Sequence, residues 1–236
     1  MARGGRPWAV VITTVVSALV AAGALAASAA LRDRGTSTEA ADETTTHTTP
    51  GVGVDGCLVQ PCVVLATLNV GGTTVELVAD KGGTSGRLRI GGAGSSEVIE
   101  ATITGMGATL GPESLQCVAG TLSACLVRGQ FSQGIVGQVV VGRSAKWNEL
   151  AQPFQSDAGY LAIADITASS TGPEVLVAQH RCDRKTVTDC ATTPVYIRVF
   201  NTRSQELGCT RNYSRLESLP DWPTVTLTAK DLNPCT

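Results

Sequence analysis

From Gly56 onward the chain is cut into short runs rich in β-branched residues. Examples are CVVLATLNV (62–70), TTVELVA (73–79), CLVRGQF (125–131), EVLVAQH (174–180), PVYIRVF (194–200) and TVTLTA (224–229). Gly, Ser, Thr, Pro and Asp separate them, and runs of this length between turn residues form strands. Only SAKWNEL (144–150) and SRLESL (214–219) have the pattern of a turn or two of helix. The expectation is an all-β domain over 56–236 with about a dozen strands. A domain of that size can bury about 70% of its unfolded surface in one core.

The runs repeat. Gly111-Pro112-Glu113 precedes Cys117 and Cys125 and the strand LVRGQF, while Gly172-Pro173-Glu174 precedes Cys182 and Cys190 and the strand YIRVF. Upstream, LATLNVGGTTVELVAD (65–80) follows the same strand, polar loop, strand order as LAIADITASSTGPEVLVAQ (161–179). This gives about three degenerate units of about four strands each, and repeating four-stranded units suggest a propeller-like array, with a β-sandwich as the alternative. The segment 154–200, through Phe154, Gly159, Leu161, Ala162, Asp165, Glu174, Val175, Val177 and Ala178, resembles an FG-GAP or VCBS-type repeat of integrin-like β-propellers. That resemblance implies a blade. The calcium loop of those repeats is missing, because DITASSTG (165–172) has one carboxylate, Asp165, and calcium takes six to eight oxygens. No cofactor is expected.

Ahead of the domain, Arg3 and Arg6 precede an uncharged apolar run of 24 residues, Trp8 to Leu31. Roughly 20 helical residues cross a bilayer, so the run can span. Ala24-Leu25-Ala26 and Ala27-Ser28-Ala29 are also small-x-small sites at which a signal peptide could be cut. Residues 1–31 are thus an N-terminal transmembrane anchor or a signal segment. The charge bias puts the N-terminus in the cytoplasm and the remainder outside a cell membrane. Residues 32–55, rich in Thr, Glu and Gly with almost no large apolar side chains, read as a disordered linker.

All eight cysteines, Cys57, Cys62, Cys117, Cys125, Cys182, Cys190, Cys209 and Cys235, lie after the apolar run. An even set outside a membrane points to disulfides in an oxidising compartment. Eight cysteines allow 105 pairings. Spacing favours Cys57 with Cys62, Cys117 with Cys125, Cys182 with Cys190, and Cys209 with Cys235. Zinc is disfavoured, since there is no Cys-x-x-Cys pair and only two histidines, His47 and His180.

Residues 56–236 carry 14 Lys and Arg against 15 Asp and Glu with no basic cluster, which argues against a nucleic-acid partner. Gly51-Val-Gly53-Val-Asp-Gly56 matches a dinucleotide fingerprint but lacks the flanking strand and helix, so it reads as linker. His180 would have to be the base of any Ser-His-Asp arrangement, yet no G-x-S-x-G elbow accompanies it, and it reads as a surface residue. Asp157, Asp165, Glu174 and Asp183 could supply the paired carboxylates of a glycoside hydrolase, although Glu113 and Glu174 also read as starting strands in equivalent units. Trp147, Tyr160, Tyr196, Tyr213 and Trp222 serve either as core or as stacking platforms. No catalytic residues are assigned. The function expected is a membrane-tethered binding or scaffold domain whose partner is an envelope protein or a cell-wall glycan. The alternatives are a carboxylate-dependent envelope hydrolase and a structural subunit of an envelope assembly.

Overall fold

Three antiparallel sheets follow one another along the chain in the computed structural model, which describes residues 57–235 apart from 58, 94, 96, 144–145, 168–171 and 183–188. The N-terminal apolar segment, the linker, the 51–56 glycine motif and Asp183 lie outside the described residues. Among the described residues, no helix is long and apolar enough to cross a membrane.

The first sheet is the meander β1 (Val63–Val70), β2 (Thr73–Ala79), β3 (Gly86–Ile90) and β4 (Glu97–Glu100). The second runs β5 (Leu115–Val118), β6 (Ser123–Phe131), β7 (Gly134–Arg143) and β8 (Lys146–Glu149); β9 (Phe154–Ser156) pairs with the other half of β7. The third is β10 (Leu161–Ala164), β11 (Glu174–His180), β12 (Val195–Phe200) and β13 (Glu206–Cys209). None of the sheets is closed, and the only helical pieces among the described residues are short 3₁₀ turns. The all-β expectation and its four-strand grouping are met at this level.

Alternation places each sheet. In β2 and β3, Val75, Leu77, Leu88 and Ile90 are buried, while Glu76, Arg87 and Arg89 on the opposite face form the ion pairs Arg89 to Glu76 and Arg87 to Glu100 across the strands. The middle sheet is apolar on both faces. Cys125, Val127, Val136 and Val140 pack against the first sheet, and Ala124, Leu126 and Val139 pack against Leu161, Ile163, Val175 and Val177 of the third. The far face of the third sheet, through Leu176, Ala178, Ile197 and Val199, is covered by the C-terminal segment with Tyr213, Leu219, Val225 and Leu227. Four layers therefore stack in chain order, and among the described residues no core cluster joins the first sheet to the third.

Polar side chains stand in for missing strand partners between layers. Gln138, almost fully buried in β7, accepts from Thr102 N–H at 2.7 Å and donates to the Glu100 carbonyl at 2.8 Å. Gln116 of β5 donates to the carbonyl of Ile163 at 3.0 Å and accepts from its N–H at 3.2 Å, pairing with β10 as a strand would. Buried backbone groups left unpaired are costly, which explains amides at these positions.

The disulfides are Cys57–Cys62, Cys117–Cys125, Cys182–Cys190 and Cys209–Cys235, the pairing that spacing favoured. The Gly-Pro-Glu comparison is corrected. Glu174 opens the second strand of its sheet, whereas Glu113 sits in a 3₁₀ turn before the first strand of its own, so the two are not equivalent. The Cys117–Cys125 bridge likewise joins a directly paired position of β5 and β6, while Cys182 and Cys190 lie in the β11–β12 connection. The other match, 65–80 with 161–179, does coincide in place, because each opens the first two strands of a sheet.

Two local expectations also change. Lys146–Glu149, within the stretch read as helical, is strand β8: pairing with β7 puts Trp147 opposite Gly142, where a Cβ would lie 2.5 Å from the indole, so the missing side chain makes room for the ring. TVTLTA (224–229) has the alternation of a strand but begins as coil and ends in a 3₁₀ turn, because its apolar side chains lie on the third sheet instead of pairing with an edge. SRLESL contributes a single 3₁₀ turn, Leu216–Ser218.

Candidate functional site

β9 runs beside β11 without a backbone ladder, held by side chains. Ser156 Oγ donates to the Ala178 carbonyl at 2.6 Å and accepts from Tyr160 N–H at 3.1 Å, while the Asp157 carboxylate accepts from the backbone N–H of His180 at 2.9 Å. A cavity of about 510 Å³ opens there, lined by Phe131, Gln133, Gln155, Asp157, Gln179 and His180 among others. A second hollow of about 310 Å³ continues from the same Gln155 and Gln179 to Arg198, Phe200 and Ser204. Pockets of a few hundred Å³ are the usual size for small ligands.

The donors and acceptors of this groove follow from the bonds around them. His180 Nδ1 faces the Thr193 carbonyl at 3.1 Å; a carbonyl only accepts, so Nδ1 carries the proton and Nε2 is the accepting nitrogen of the neutral ring. The Gln179 Oε1 accepts from Tyr196 OH at 3.3 Å and from Arg198 at 3.4 Å, which leaves its NH₂ group to donate toward the groove. Arg198 is itself paired with Glu206 at 2.8 Å and lies over the Phe200 ring. The groove therefore presents amides, one exposed carboxylate and an imidazole, with its guanidinium already neutralised.

Ser156, Asp157 and His180 have the composition of a hydrolytic triad without its geometry. Asp157 binds the His180 main chain and not the ring, and the Ser156 hydroxyl is fully buried and committed to the Ala178 carbonyl. Of the proposed carboxylates, Glu174 is 0% exposed, accepting from Ile166 N–H at 2.9 Å and from the Thr167 hydroxyl. It anchors the β10–β11 loop. Asp165 is exposed in that loop, and none of the three cavities described in this section is lined by two carboxylates.

The aromatic residues separate by role. Trp147 and Tyr213 are core, and Tyr196 is half-buried beneath Arg181 at 4.9 Å. Tyr160 and Trp222 form a tilted pair with centroids 5.6 Å apart and wall a third cavity of about 570 Å³. Burial raises the Tyr160 phenol pKa, partly offset by the Val225 N–H bond and by the charge of Arg128. Glu206, Cys209 and Cys235 converge, but both sulfurs are in a disulfide and the carboxylate is on Arg198, so the group offers no free metal ligands. Sequence reasoning found His180, Asp157 and the aromatics; it missed Gln133, Gln155 and Gln179, because amides scattered over two strands and a turn carry no spacing signal.

Comparison with family models, with curated proteins and with solved structures returns no match.

Proposed function

We propose that residues 56–236 form an extracytoplasmic recognition domain, held at a membrane by the N-terminal apolar segment, that binds a cell-wall glycan in the amide-lined groove. The observation that carries this is the groove's chemistry: Gln133, Gln155 and Gln179 with the single carboxylate of Asp157 and the Phe131 ring. Carboxamides offer a donor and an acceptor on one planar group, which suits the hydroxyls of a neutral sugar, and an aromatic face suits its C–H surface. Catalysis would need a second carboxylate at a set separation from Asp157. Three consecutive antiparallel meanders packed face to face support a propeller-like arc for the domain, with the C-terminal segment in the place of a closing blade.

The test is co-sedimentation of the full chain with insoluble cell-wall glycan, comparing wild type with Gln155→Ala and Gln179→Ala. Folding is checked by circular dichroism. Loss of at least about tenfold in affinity, about 1.4 kcal/mol, is expected for the pair of changes. Undiminished sedimentation of the folded double variant sinks the glycan reading.

A further inference from the structure

The third cavity differs in chemistry from the amide groove and is built from five segments. They are the turn around Pro112, which brings the exposed carboxylate of Glu113 to the wall, the β6 residues Arg128–Gln130, Ile135 of β7, the start of β10 with Tyr160, and Trp222–Pro223 of the C-terminal cover. Apolar and aromatic surface supplies most of the wall. Arg128 is half-buried within it. One of its donors goes to the Leu161 carbonyl, and no carboxylate among the described residues lies within ion-pair distance of it. The three guanidiniums of Arg87, Arg89 and Arg198 are each matched to a glutamate.

A guanidinium partly removed from water without a counter-charge is an unpaid desolvation cost unless something else neutralises it. Tyr160 adds a second group. Its oxygen accepts from Val225 N–H at 3.3 Å, so the hydroxyl proton is left to donate within the same cavity. We propose that this cavity binds a carboxylate carried on an aromatic or aliphatic body, with the Arg128 fork and the Tyr160 hydroxyl on the carboxylate and the Trp222 ring on the body. Planar, two-pronged recognition of carboxylate is the arrangement at which arginine exceeds lysine. The volume of about 570 Å³ accommodates a single-ring acid or the last residue of a peptide. The site is independent of the amide-lined groove.

The test uses the full chain in lipid nanodiscs with empty nanodiscs as the blank, and ligand-observed NMR titration with phenylacetate, phenylacetamide and a pentapeptide ending in Phe. Phenylacetate or the peptide is expected to bind at least tenfold more tightly than the neutral amide, and Arg128→Gln is expected to abolish that difference. Tighter binding of the peptide assigns the ligand to a polypeptide C-terminus, and tighter binding of phenylacetate assigns it to a free acid. Equal binding of acid and amide to wild type overturns the proposal, a readout that holds even where Arg128→Gln does not fold. Discrimination that survives in a folded Arg128→Gln also overturns it.

Discussion

Replacing Gln116 by Leu tests whether a side-chain amide acts as the strand partner between the second and third sheets. Ile163 is 1% exposed, and its N–H and C=O are both satisfied by Gln116 at 3.2 and 3.0 Å. Leu conserves most of the volume but leaves both backbone groups unpaired where water has little access. Each such group costs about 1 to 3 kcal/mol, and the half-buried Leu returns less than about 1 kcal/mol, so the net loss is about 1 to 6 kcal/mol. For a chain of this size that lowers Tm by about 2 to 24 °C. Gln116→Glu sharpens the test. Its carboxylate still accepts from Ile163 N–H but sets an oxygen against the Ile163 carbonyl, so at neutral pH it is expected to be at least as damaging as Leu. That apposition disfavours the charged form and raises the folded-state carboxyl pKa. The variant is therefore expected to recover stability as pH falls through that raised value, because the protonated acid regains a donor. Differential scanning calorimetry of the disulfide-intact full chain against pH gives the readout. A Leu variant within about 2 °C of wild type, or a Glu variant as stable as wild type at pH 7, refutes the idea that this amide joins the sheets.

Gly83 has φ +66°, and a Cβ there would lie 2.1 Å from the Leu110 carbonyl oxygen, so Gly83→Ala is expected to cost more than about 2 kcal/mol in urea unfolding. Cys209–Cys235 spans 26 residues and pins the cover over the third sheet; replacing both by Ala should cost about 3.5 kcal/mol, against about 2 for Cys57–Cys62, and should speed proteolysis within the C-terminal segment. Burial would raise the Asp80 pKa, but bonds from the Thr84 and Ser85 hydroxyls and from backbone N–H groups outweigh it and hold the carboxyl below its usual value. A depressed folded pKa contributes stability that is present above the unfolded value of about 3.9 and lost as pH falls through the folded one. Asp80→Asn should therefore lower Tm at pH 7, with the deficit shrinking at more acid pH.

Much of the fold was legible because strands announce themselves locally. Runs such as TTVELVA and PVYIRVF alternate over a few residues and end at turn formers, and the structure has strands at both. Cysteines five to eight residues apart were equally readable, because a short chain between them brings their Cα atoms within bridging reach. Lys146–Glu149 and 224–229 were misread for a common reason. Whether Trp147 and Val225 sit in a strand or on coil depends on what they pack against, Gly142 in one case and the third sheet in the other. Of the site, His180, Asp157, Tyr160 and Trp222 drew notice as chemical types, without any indication of which would meet.

The sequence by itself determined the all-β character, the grouping into four-stranded units and the close cysteine pairs, since each depends on side-chain pattern over a few neighbouring residues. Only the tertiary structure decided that Gln133, Gln155 and Gln179 meet in one groove, and that Arg128 meets Tyr160 and Trp222 in an apolar cavity. Those residues are up to 94 positions apart, from Arg128 to Trp222, and their meeting is set by how the layers stack. A stacking geometry depends on the summed packing of whole sheets, and no spacing of residue types along the chain records it.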